Sequence, residues 1–146
     1  MHISKLMFGS TVETQTESIA KLWFFLSQNW VKMLKVCNRK HYMKCEYPEP
    51  RLTKETALAK VARELNPETD KKTIRRYQAL NLKPESTVEF RAVQTTTDIT
   101  TLTAIIEMLW HLAKKSKTIA WENAKDWAQW FADAPQVVVD YLKTKE

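Results

Sequence analysis

The sequence predicts an α+β fold: a small antiparallel sheet covered by four to five helices. Three observations carry that prediction. Long stretches repeat apolar residues at i, i+3, i+4 and i+7, the period of a helix buried along one side. One stretch, STVEFRAV at 86–93, alternates instead, with Val88, Phe90 and Ala92 opposite Thr87, Glu89 and Arg91, as a half-buried strand does. Finally, 146 residues with 44% hydrophobic content and six Trp are enough to bury one core, so a single domain over residues 1–146 is expected.

Each element has its own signal. Ile3 between His2 and Ser4 marks a short opening strand. From Thr11 to about Asn38 the apolar positions Ile19, Leu22, Trp23, Leu26, Trp30, Met33, Leu34 and Cys37 keep helical spacing. Glu13 and Glu17 lie in its early turns and Lys32, Lys35, Arg39 and Lys40 in its last, as the helix dipole favours. Pro48 and Pro50 mark a loop at CEYPEP. Residues 53–65 form a second helix, with Leu58, Val61, Ala62 and Leu65 on one side and Asn66-Pro67 closing it.

After the polar ETDKKT, residues 74–94 read as two strands joined by a KPES turn. Thr97 or Asp98 caps a helix with Ile99, Leu102, Ile105, Ile106, Leu109, Trp110 and Ala113 as its apolar positions. KKSKT then leads to a Trp-rich helix at 119–132, whose stripe is Trp121, Ala124, Trp127, Ala128 and Phe131. Asp133 and Pro135 start a last helix through Leu142.

Composition excludes some functions. Gly9 is the only glycine, and phosphate-cradling loops need several, so a P-loop or dinucleotide fingerprint is ruled out. Two cysteines make no disulfide framework. The opening residues lack a signal-peptide core, and LWFFL at 22–26 is far too short to cross a bilayer, so a cytoplasmic protein without membrane contact is expected. The net charge of +6 suits acidic partners or nucleic acid, but no basic run is long enough for a nucleic-acid arm.

Two constellations suggest chemistry. Cys37, His41 and Cys45 form C-x3-H-x3-C, and zinc is the one cofactor that spacing suggests. In a continuous helix the cysteine Cα atoms stand about 12 Å apart, too far for bonds of about 2.3 Å from both sides. Zinc therefore needs a break near Tyr42, or two of the three residues joined by His2 or His111. Cys37 as a buried hydrophobe needs neither. The second constellation is aromatic and basic. Trp121 and Trp127 fit a core stripe, whereas Trp130 lies off it. Trp130 with Lys114, Lys115 and Lys117 is the candidate partner-binding set.

The unit RRYQALNLKPESTVEFRAVQTTTD resembles a block of the amidoligase family, ATP-dependent carboxylate–amine ligases of glutamine-synthetase fold, many encoded by phages and mobile elements. That block runs roughly R-Y-x-A-[LV]-N-[LV], then [TS]-[VI]-E-[FI]-R, then T-x-D at a helix start. Arg76, Tyr77, Ala79, Asn81, Glu89, Arg91, Thr96 or Thr97, and Asp98 fall in those places. MHISK followed by Phe8-Gly9 is similar to the second half of the family's G-x-H-[VI]-H-[IV]-S-[RK], with His2 as its second histidine. The helix ending near NRKHYMKC resembles the family's helix with an Arg and a Tyr-Cys pair.

The resemblance implies a partial glutamine-synthetase-like sheet with Glu89 and Arg91 on its active-site face. It reaches only the family's C-terminal half, without the N-terminal strands that carry further metal ligands. No catalytic residue is therefore expected, and His2, Asn81, Glu89 and Arg91 are family-equivalent remnants. The implied function is a non-catalytic interaction protein, encoded by a phage or mobile element and inhibiting a host protein in the manner of an anti-CRISPR. The expected partner is then a host protein, a nucleic-acid-handling complex among the candidates. Two alternatives stand beside it: a subunit of an ATP-dependent amidoligase whose N-terminal half is a separate chain, and a basic module that binds nucleic acid directly.

Overall fold

The computed structural model describes residues 1–39, 52–75, 77–94 and 96–146. Within these, a three-stranded antiparallel sheet and five α-helices share one hydrophobic core, the predicted α+β class. The strands are β1 (His2–Ser4), β2 (Leu80–Asn81) and β3 (Thr87–Phe90), in the order β1-β3-β2. The helices are α1 (Val12–Val36), α2 (Lys54–Leu65), α3 (Ile99–Thr118), α4 (Trp127–Phe131) and α5 (Gln136–Lys143).

The sheet register follows from side-chain alternation. Ile3 lies opposite Val88 and Leu80 opposite Phe90, and all four are buried in the common core. On the other face His2 and Asn81 flank Glu89. A slip of one residue would exchange these faces, so burial fixes the pairing. The turn between β2 and β3 is pinned from outside the hairpin. Lys5 donates to the carbonyls of Pro84 at 2.8 Å and Glu85 at 2.9 Å, satisfying turn acceptors that no strand reaches. The expected first strand is shorter than 74–82: β2 covers only Leu80–Asn81, and just before it Ala79 O accepts from Arg91 N at 3.0 Å.

α1 is the spine, packing against α2 and α3. Thr11 caps it in a capping box with Thr14, and Gly9 precedes that cap at φ 152°. A Cβ at Gly9 would stand 2.2 Å from Thr14 Oγ1, so both the backbone angle and the space demand glycine. The helix is interrupted at Asn29 (φ −121°, ψ 21°), whose amide donates to Phe25 O at 3.0 Å and to Lys125 O at 2.9 Å. The far end closes in a Schellman motif, with Asn38 left-handed at φ 55° and Arg39 N donating to Leu34 O at 2.9 Å. Tyr141 of α5 donates its hydroxyl to Val36 O, another carbonyl left over at that end. Burial pushes the Tyr141 phenol up to about 12, with Cys37 and Asp98 adding to the shift.

Of the tryptophans in this segment, Trp130 departs from its expected place. Trp130 is fully buried, its indole N–H donating to Ala124 O at 2.8 Å and its ring 4.7 Å from Phe25. Trp121 and Trp127 are half-buried. The cause is a break in the expected helix. Residues 121–123 form a 3-10 turn, and Asp126 then caps α4 by accepting from Ala128 N. The helical phase restarts there and turns Trp130 inward. Trp130 is thus a core residue, and the expectation that it is an exposed anchor is corrected. α3 runs on through KKSKT, which was expected to follow the helix, and presents Ile99, Ile106 and Trp110 to solvent.

Trp130→Ala is expected to cost about 3–5 kcal/mol and Trp110→Ala about 0.5 kcal/mol or less, measured by urea unfolding. Tyr141 gives a second expectation. Its folded pKa exceeds the ordinary phenol value of 10, so its contribution is complete below pH 10 and lost as pH rises towards about 12. Tyr141→Phe should flatten that alkaline fall in stability.

Candidate functional site

The polar face of the sheet gathers His2, Asn81, Glu89 and Arg91 in one row. Pairing across the ladder places His2, Glu89 and Asn81 side by side, and Arg91 follows Glu89 on the same face. Glu89 Oε2 accepts from Asn81 Nδ2 at 2.7 Å and from Arg91 Nη2 at 2.8 Å. The Arg91 guanidinium also lies over the Tyr77 ring, 5.5 Å from its centroid. His2 is exposed and shares a hydrogen bond of 3.1 Å with Thr87 Oγ1, which lies beside the row.

The electrostatics of Glu89 follow from these contacts. Partial burial pushes its pKa up, but the Asn81 amide, the Arg91 charge and the nearby His2 outweigh that and hold it below the ordinary carboxylate value. The carboxylate therefore stays ionised and is already neutralised by a guanidinium. Asn81 is buried and spends its other amide atom on Lys83 N at 3.2 Å. Asn81, Glu89 and Arg91 thus form one hydrogen-bonded set, with His2 bonded beside it to Thr87.

The metal expectation divides. His41 and Cys45 lie outside the described residues. Cys37 is fully buried, with its thiol 3.7 Å from Met33 Sδ. His111 is buried and bonds through Nε2 to Trp130 O at 2.7 Å, a contact that ties α3 to α4. No group of three or more His, Cys, Asp or Glu is arranged for a metal ion among the described residues. Arg76 also lies outside them. No helix among the described residues is long and apolar enough to cross a membrane.

The basic candidates separate as well. Lys115 is committed to Asp133 at 2.6 Å and holds that carboxyl below its usual range. Lys114 and Lys117 are exposed. They continue a line of exposed α3 positions, Ile99, Thr103, Ile106 and Trp110, at alternating steps of three and four residues. This is one face of the helix. Trp110 at 51% exposure is its centre, with Ile106 at 37% and Ile99 at 72%. Helical spacing named all three among the apolar positions of this helix without separating covered from exposed ones; the signal for their exposure was the excess of apolar residues around α3.

Two structural roles also escaped sequence reasoning. Lys5 serves the β2–β3 turn. Arg39 donates to Arg91 O at 2.9 Å and joins the end of α1 to the end of β3. Elsewhere, a groove of about 750 Å³ opens between the start of α1, α2 and Trp121. Val12, Leu58, Ala62 and Pro67 give it apolar walls, and Glu13, Glu17 and Lys54 charge its edges. Comparison with protein-family models, curated proteins and solved structures finds no match.

Glu89 links stability to acid. Its folded pKa lies below the unfolded value, so its contribution is complete above about pH 4.5 and is lost as pH falls through the folded value. Glu89→Gln should weaken the acid-induced loss of stability in a melting series. Glu89→Ala strands the buried Asn81 amide and should cost about 1–3 kcal/mol, against about 3–5 for Phe90→Ala on the core face.

Proposed function

We propose that this chain is a non-catalytic interaction protein that binds a partner protein through the solvent face of α3. The observation that carries the reading is Trp110, a half-exposed indole between Ile106 and the cations Lys114 and Lys117. A large aromatic ring beside exposed cations is the composition of an interface anchor, because it offers apolar area at little entropic cost. The pairing of Glu89 with Arg91 supports the non-catalytic part. A carboxylate neutralised at 2.8 Å by Arg91 attracts a metal–nucleotide weakly.

The resemblance to amidoligases supplies the origin we propose, a derivative of that family carried by a phage or mobile element. The partner we propose is accordingly a host protein, an anti-defence target of the anti-CRISPR kind among the candidates. Fold likeness alone assigns no activity, so the α3 face carries the proposal.

Affinity capture from host lysate followed by mass spectrometry tests it. Trp110→Ala should weaken the captured complex by about 2 kcal/mol, with mild salt dependence. A loss of affinity linear in log salt, with Trp110 indifferent, would favour a nucleic-acid target. Turnover of ATP abolished by Glu89→Gln would overturn the non-catalytic reading.

A further inference from the structure

We propose that the exposed face of α3 docks into the α1–α2 groove of a second copy of the chain. The inference rests on the reading of α3 as a docking surface, and adds what covers it when no partner is bound. Both halves of the contact are present in one molecule.

The groove has an apolar interior of Val12, Leu58, Ala62, Pro67 and the Trp121 ring. Glu13 and Glu17 stand along the α1 wall. Lys54, the one cation among the described lining residues, is drawn over Trp121 at 5.3 Å from the ring centroid. Glu17 is shared with Lys21 at 3.0 Å, whereas Glu13 has no ion pair among the described residues. Two carboxylates on one wall run against the net charge of +6.

The α3 face is the complement. Ile106 and Trp110 offer apolar area, and Lys114 and Lys117 follow on the same face without an ion pair among the described residues. Lengths agree too. Ile106 to Lys117 spans about 17 Å, and the stretch of α2 lining the groove, Lys54 to Asn66, about 18 Å. An amphipathic helix laid in an apolar groove is a recurrent mode of recognition, and opposite charges along its edge set register. Two copies that exchange face for groove form a closed pair in which the contact is made twice.

Sedimentation equilibrium of the full chain over a range of micromolar concentrations tests the inference. A concentration-dependent dimer is expected. Trp110→Ser and Lys114→Glu should each weaken it roughly tenfold. Glu13→Lys should do the same, and combining it with Lys114→Glu should restore association. All three side chains are exposed, and melting curves would check that the variants fold. A monomer at every concentration, or a dimer that none of these changes affects, would overturn the inference. A monomer that still captures a partner through Trp110 overturns the dimer alone and leaves the proposed function standing. A dimer broken by these changes, whose partner capture ignores Trp110, supports the dimer and sinks the proposed function.

Discussion

The buried end of α1 is the constraint on which the rest of the structure depends. From Ser18 to Val36 this helix supplies much of the core, and its final carbonyls come to rest where water is largely excluded. A buried carbonyl without a partner costs free energy comparable to a lost hydrogen bond. The fold answers from several directions at once. Asn38 and Arg39 turn back in a Schellman motif, Tyr141 reaches Val36 O from α5, and Gln94 N reaches Cys37 O at 3.3 Å from beyond β3. Each satisfied carbonyl also fixes the position of another element. Capping and tertiary assembly are one event at this end.

The other end of α1 obeys steric rather than polar logic. Gly9 is the single glycine of the chain, placed where a Cβ would strike the Thr14 side chain of the capping box. The strand β1 and the helix α1 can join so closely only because that position has no side chain. The kink at Asn29 is a third adjustment. It releases helical geometry at one residue, and the Asn29 amide then bonds to Lys125 O and anchors the segment before α4.

Polar groups in this protein are used mainly to hold backbone. Lys5, Arg39 and His111 each direct a side chain to a main-chain carbonyl of a distant segment. The Asn81–Glu89–Arg91 set does similar work on the sheet face, coupling β2 to β3 through side chains where β2 supplies only two residues of ladder. Apart from these contacts lie the outer face of α3 and the groove beside α2, one apolar with cations and the other apolar with carboxylates.

The sequence by itself determined the long helices, most of their starts and the strand alternation, because these depend on residues close together in the chain. Thr11, Thr53 and Asp98 mark helix starts, and Val88 and Phe90 face the core as their period requires. Tertiary structure decided which apolar residues are covered. α2 buries Ala57, Val61 and Glu64 rather than a stripe through Leu58 and Ala62, since Glu64 finds Lys60 and Gln78 as partners there. Trp130 is buried because Asp126 restarts the helix, and Trp110 is exposed because α3 carries more apolar residues than its neighbours can cover. Periodicity reports the direction in which a side chain leaves its own element. Whether another element meets it depends on packing between segments far apart in sequence, and no local pattern records that.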